Sequence, residues 1–170
     1  MGMAGRVSES DQLDVVVESP RGSRNKYEFD EKRGVMRLDR RILGAVSFPA
    51  DYGFVPGTVG EDGEPLDALV LLDEPTYPGI WVAARVIGVS WIGTRTGLEA
   101  KLLCVPVGDP VYEDVHDLND LPRHVARGIG QFFGVYKQLD GGTTTTDEGQ
   151  EGRQVAVRVL AEARARHRGS

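Results

Sequence analysis

The apolar residues of this chain come in short bursts fenced by turn formers, and that rhythm restricts the fold more than any other feature. Leu13 to Glu18, Leu66–Leu72, Trp81–Val89 and Ala100–Val105 are runs of strand length, rich in Val, Ile, Leu and Trp. Lys26–Asp30 and Val35–Asp39 alternate polar and apolar residues around Glu31-Lys32-Arg33-Gly34, which predicts a β-hairpin. Pro and Gly punctuate Phe48–Gly57, which reads as loop with short extended pieces. Helical spacing begins only at Leu121, followed by Val125, Ile129, Phe132 and Tyr136, with Asn119-Asp120 placed to cap the helix and Pro122 in its first turn. Gly128, Gly130 and Gly134 each weaken that helix by up to about 1 kcal/mol, so tertiary packing must hold it. Val155, Val157 and Val159 alternate as in a strand, whereas the Ala/Glu/Arg-rich remainder to Arg168 prefers a closing helix. The expectation is one α+β domain over residues 13–170 with an antiparallel β core. Residues 1–12 are expected to form a flexible tail, and 141–152 a flexible Thr/Gly-rich insert.

A length of 170 residues suffices for one sizeable core. The formal charge of −6 argues against a nucleic-acid or anionic-membrane partner, and an anionic substrate would need a locally basic or metal-loaded site. No stretch approaches membrane-spanning length. The single cysteine, Cys104, sits in an apolar run, so it is expected to be a buried thiol. With no disulfide framework, a cytoplasmic location is expected.

Chemistry concentrates in Asp62-Gly63-Glu64-Pro65-Leu66-Asp67, where a Gly-Pro turn brings three carboxylates together. Such a cluster is either a solvated acidic turn or a seat for a hard cation, for which Mg²⁺ is the natural occupant. Charged pairs recur elsewhere. Residues i and i+2 of a strand share a face, so Lys26 projects with Glu28, and Glu99 with Lys101. Asp39-Arg40 leave the hairpin, and Tyr136-Lys137 end the helix. Each pair alone reads as a solvated pair or a surface ion pair. Together with the acidic turn they supply what a phosphoanhydride requires: a metal on its oxygens, fixed cations on the leaving group, and a carboxylate to orient water.

On these motifs the chain resembles the soluble family I inorganic pyrophosphatases. The resemblance runs from about Glu18 to Leu139 and includes Glu18, Lys26-Tyr27-Glu28, Asp39-Arg40, Phe48–Phe54, the acidic turn, Ala100-Lys101-Leu102, Val105-Pro106, Asp117–Pro122 and Phe132–Lys137. It implies a five-stranded OB-like antiparallel β barrel with flanking helices, and a homo-oligomer, a hexamer in bacteria. It implies hydrolysis of Mg²⁺-bound pyrophosphate to two phosphates. By the same resemblance Asp62 and Asp67 bind the catalytic Mg²⁺, with Glu28 and Glu18 in the outer metal shell. Lys26, Arg40, Lys101, Tyr136 and Lys137 hold the phosphates, and Tyr52 stands beside the activated water.

The chain also departs from the family. Glu64 replaces the signature's middle Asp, which binds metal and activates the attacking water. In the family's second acidic loop the leading Asp is Thr94 here, its acidic neighbour is Arg95, and the second Asp is Glu99, a metal ligand one methylene longer. Phe48 replaces a phosphate-facing Tyr. Arg95 either contacts substrate phosphate in place of a missing cation or points into water from a loop tip. The expected function is therefore pyrophosphate hydrolysis with a modified metal site. The alternatives are a paralogue acting on an organic diphosphate or on another reaction in the same pocket, and a catalytically silent assembly or phosphate-sensing subunit.

Overall fold

The computed structural model describes residues 9–139 and 144–170. Its strands are β1 (Gln12–Ser19), β2 (Asn25–Asp30), β3 (Val35–Arg41), β4 (Asp51–Phe54), β5 (Asp67–Val70), β6 (Trp81–Thr94), β7 (Gly97–Pro106) and β8 (Thr146–Gly152); its helices are α1 (Arg123–Leu139) and α2 (Arg153–Arg168). Strands β1, β4, β5, β7 and β6 follow one another by hydrogen bonds, and β1 pairs again with β6. That closes a ring of five strands, an OB-like barrel with helices beside it. One pairing differs from the antiparallel expectation: β5 and β7 run parallel, with Asp67 level with Lys101. The reason is topological, since β6 intervenes in the chain and returns it to the direction of β5. A register shift between Val86 and Gly88 lets the long β6 pair with β1 through its first half and β7 through most of its length.

Residues 68–70 of β5 and 102–106 of β7 are apolar because both faces are buried there, whereas the first residues of these strands carry Asp67, Glu99 and Lys101. Ala68, Val70, Leu102 and Cys104 join one core with Ala156, Leu160 and Ala163 of α2. Their neighbours Leu69, Leu71, Leu103 and Val105 join the other, with Ile129, Phe132, Phe133 and Tyr136 of α1. The helices thus brace opposite faces of the same two strands, and the aromatic face of α1 offsets its glycines. The C-terminal segment is helical, as its composition favoured, because the helical period puts Ala156, Leu160 and Ala163 inside.

Several boundaries differ from expectation. Residues 9–12 are not tail: a 3-10 turn at Glu9–Asp11 leads into β1, and buried Asp11 accepts Arg153 Nε at 3.0 Å. Residues 1–8 of that expected tail lie outside the described residues, as do 140–143, which include the start of the expected insert. The rest of that insert holds β8, which pairs with β6. Thr146–Gly152 carries no apolar alternation, so main-chain pairing, Trp91 Nε1 to Glu151 at 2.7 Å and Gln150 to the Ala126 carbonyl at 2.9 Å hold it instead. Asp51–Phe54 is a strand despite its glycine: a Cβ at Gly53 would stand 1.9 Å from the Val16 carbonyl oxygen, so glycine is what lets β4 approach β1. Helix α1 is preceded by a capping box on Asp117 and Asp120 rather than by Asn119-Asp120.

Candidate active site

The acidic turn lies at the tip of the connection between β4 and β5. Gly63 takes φ +85°, which its missing Cβ permits, and the turn closes through Glu64 N to Asp62 Oδ1 (3.0 Å) and Gly60 N to the Glu64 carbonyl (2.7 Å). Asp62 and Glu64 are exposed, while Asp67 opens β5 half-buried. In register, Asp67 stands opposite Phe54 of β4 and level with Lys101 of β7. Tyr52 lies two residues from Phe54 on the same face and donates its hydroxyl to Asp67 Oδ2 at 2.6 Å. Lys101 Nζ bonds that same oxygen and lies 3.1 Å from Glu99 Oε2. The expected pairing of Glu99 with Lys101 on one strand face is therefore present.

Burial and neighbouring charge together set the charge states here. It opposes ionisation of Lys101, yet the charge and hydrogen bond of Asp67, with Glu99 behind them, hold the ammonium above the ordinary lysine value. Burial and then the Asp67 charge push the Tyr52 phenol well above its usual range, so it remains a donor. Glu18 projects from β1 and accepts Phe29 N at 3.0 Å. Burial is the largest cause, with Asp67 and Glu28 adding, of a carboxyl pushed up to about 7.

The β2–β3 hairpin forms the opposite wall. Lys26 Nζ is 2.6 Å from Glu28 and 3.4 Å from Asp39. Burial opposes its charge too, but the Glu28 bond and charge leave its pKa raised overall. From α1, Tyr136 stacks on Phe132 with centroids 4.9 Å apart, and Lys137 follows it into the cleft. One cleft of about 610 Å³ thus gathers Glu18, Lys26, Glu28, Tyr52, Asp62, Glu64, Asp67, Glu99, Lys101, Tyr136 and Lys137.

A family model for inorganic pyrophosphatase matches residues 15–168. The chain belongs to the inorganic pyrophosphatase family. It is 46% identical over 152 residues to the inorganic pyrophosphatase of Streptomyces coelicolor, covering 89% of this chain and 90% of that one. With the enzyme of Halalkalibacterium halodurans the identity is 40% over 157 residues, 92% and 96% of the two chains. The crystal structure of the Thermus thermophilus inorganic pyrophosphatase superposes with a TM-score of 0.91 at 38% identity, covering 98% of this chain and 96% of that one. Membership makes the chain an enzyme, an inorganic diphosphatase.

Two expected site residues do not line the cleft. Arg40 stands opposite Lys26 in the β2–β3 register, next to the cleft wall. Arg95 is exposed in the β6–β7 turn and is outside the cleft lining. Thr94 is occupied with that turn: its hydroxyl donates to the Gly97 carbonyl at 2.9 Å. Phe48 is buried against Tyr52 and Phe132, facing the α1 core. Sequence reasoning missed Asp30, Glu31 and Lys32, which also line the cleft. The only signal was their place in the turn after Lys26-Tyr27-Glu28, where a charged turn reads as solvated surface.

The cleft is strongly acidic, with eight carboxylates against four lysines. Among the described residues no three acidic, histidine or cysteine side chains stand close enough to cage an ion. Mg²⁺ needs no such cage, since it keeps several waters and binds through one or two carboxylates plus phosphate oxygens. Exposed Asp62 and Glu64 suit that mode, and Asp67 turns toward the same cleft with the oxygen that Tyr52 and Lys101 leave.

Proposed function

We propose that the chain hydrolyses inorganic pyrophosphate with Mg²⁺ held by Asp62, Glu64 and Asp67, and that its metal site differs from that of its relatives. The charge ratio of the cleft carries this reading. An anionic diphosphate entering a pocket with twice as many carboxylates as lysines meets net repulsion unless divalent cations enter with it. Raised Glu18 reflects the same crowding, burial first and neighbouring carboxylates after it. When bound, the metal supplies charge neutralisation on the phosphate oxygens and a more acidic water. The chain's own residues do the rest. Lys26, Lys101, Lys137 and Tyr136 orient the two phosphates, with Arg40 at the edge. Glu64 accepts the proton of the attacking water. Tyr52 and Lys101 hold Asp67 in place, Glu99 steadies Lys101 and completes the metal-facing acids, and Glu28 and Glu18 supply outer-shell acceptors. We also infer a homo-oligomer, which sedimentation of the full chain checks, and a cytoplasmic location, which cell fractionation checks.

Phosphate release from pyrophosphate, with and without Mg²⁺, tests the proposal in wild type and Glu64→Asp. Mg²⁺-dependent turnover by wild type is expected. A longer carboxylate displaced by about 1 Å can change a preorganised site on the order of a hundredfold, so Glu64→Asp is expected to alter kcat by tenfold or more. If only the Asp variant turns over, the natural chain works on another diphosphate, and a substrate panel follows.

A further inference from the structure

The acidic turn has little beneath it. A cavity of about 70 Å³ lies under the turn, bounded by Trp91, Leu98, Val159 and Arg166 as well as by Asp62 and Asp67. The tip of the turn, residues 61–64, is exposed, so its place depends on how its two arms are rooted. At the base, Thr58 Oγ1 donates to the Val55 carbonyl at 2.6 Å and accepts Leu66 N at 3.0 Å, tying the two arms together. On the ascending arm, Val59 N donates to the Ala163 carbonyl of α2 at 3.0 Å. The Val59 carbonyl in turn accepts Arg166 Nη1 at 3.2 Å, and Arg166 Nη2 lies 3.6 Å from Glu61. One guanidinium at the end of α2 thus grips the arm at two points just before Asp62.

We propose that Arg166 is a positioning residue that fixes where Asp62 and Glu64 stand over the cleft, through its hold on Val59 and Glu61. The inference rests on the reading that these carboxylates bind a divalent cation. Charge and position make opposite demands here, which renders the idea testable. Removing a cation from beside an acidic turn tightens divalent binding if Coulomb attraction alone matters. If Arg166 positions the ligands, its removal loosens binding.

Mn²⁺ affinity, followed by the electron paramagnetic resonance of the free ion, decides between them on the full chain. Arg166→Ala is expected to weaken Mn²⁺ binding by about tenfold, the lower end for residues that orient metal ligands. Arg164→Ala is the control, because Arg164 lies on the same helix end but bonds the Gln12 carbonyl at 2.6 Å; it is expected to leave affinity unchanged. Arg166→Lys keeps the charge but cannot span Val59 and Glu61 together, so a smaller loss is expected. That variant carries the test if Arg166→Ala melts early. Equal or tighter binding by Arg166→Ala, no loss in Arg166→Lys, or an equal loss in Arg164→Ala would overturn the proposal. Wild type that binds no Mn²⁺ would overturn the metal reading and the inference with it.

Discussion

Replacing Lys101 by Met tests whether its ammonium is the internal counter-ion of the site. Lys101 is 4% exposed and sits between Asp67 and Glu99, whose side chains are 28% and 24% exposed. Methionine keeps most of the stem's volume, so the change removes charge rather than packing. Stripping one partner from a fully buried pair costs about 3–5 kcal/mol. Here both carboxylates keep about a quarter of their surface in water and Tyr52 still bonds Asp67, so about 2–3 kcal/mol is expected. For a chain of this length that lowers Tm by roughly 5–10 °C. Urea unfolding in EDTA and again at saturating Mg²⁺ supplies the assay. The stranded carboxylates attract a divalent cation, so Mg²⁺ is expected to restore at least half of the deficit through its binding to the folded state. A second substitution, Asp67→Asn, is expected to restore stability without metal. A deficit of the same size in EDTA and Mg²⁺ would refute the reasoning, because the loss would then be one of packing, and so would no deficit at all, because the carboxylates would then need no internal counter-ion. On the proposed role of Lys101 at the phosphates, turnover is expected to fall on the order of a hundredfold or more.

Two other perturbations address the surroundings. The Glu18 carboxyl rises from the ordinary 4.5 to about 7 in the folded chain, so between those values the folded state binds more protons than the unfolded. Metal-free protein is therefore expected to lose about 2–3 kcal/mol of stability as pH rises through that window and to level off above it, while Glu18→Gln shows no such slope in urea unfolding. Gly53→Ala would press a methyl group against the Val16 carbonyl at 1.9 Å and is expected to destabilise the barrel by about 3 kcal/mol, read by circular dichroism melting; a wild-type Tm would show that β1 and β4 can part without harm.

Legibility in the sequence followed the source of each element's stability. Strands β5 and β7 and helix α1 announce themselves because burial writes apolar period into their residues, whereas the largely exposed first hairpin is legible from its alternation about a glycine turn. Strand β8 does not, because its residues Thr146–Gly152 are held by main-chain pairing and by the side chains of Trp91 and Gln150, interactions with partners remote in the chain. Asp51–Phe54 was masked by glycine, whose meaning appears only when Val16 is beside it. The site divides the same way. Lys26 with Glu28 and Glu99 with Lys101 follow from strand period alone, whereas Lys101 with Asp67 depends on a parallel register that no local pattern encodes. Arg95 shows the converse: a charge gained near motif residues reads as a ligand in the sequence, and its place in an exposed two-residue turn appears only from the β6–β7 register.

The departures from the family's acidic pattern have unequal weight once Lys101 is in view. Tyr52 and Lys101 both bond Asp67 Oδ2, leaving the other oxygen of that carboxylate for a cation. Glu99 is likewise engaged by Lys101, and Thr94 closes a turn instead of offering an acid. Asp62 also spends Oδ1 on Glu64 N, so a divalent ion in this cleft meets one remaining oxygen on each of Asp62 and Asp67 and draws more on Glu64 than a site with free carboxylates on every wall would require. Asp62 and Glu64 stand on a turn with a cavity beneath it, gripped at one arm by Arg166. The longer reach of Glu64 fits that geometry, since an exposed side chain with an extra methylene can meet the ion without the turn moving inward. Its effect should then depend on the grip. Combining Glu64→Asp with Arg166→Ala is expected to weaken Mn²⁺ binding by more than the product of the single changes, because the shorter carboxylate depends more on the arm's position. Strictly multiplicative losses would show that the two residues act on the cation independently.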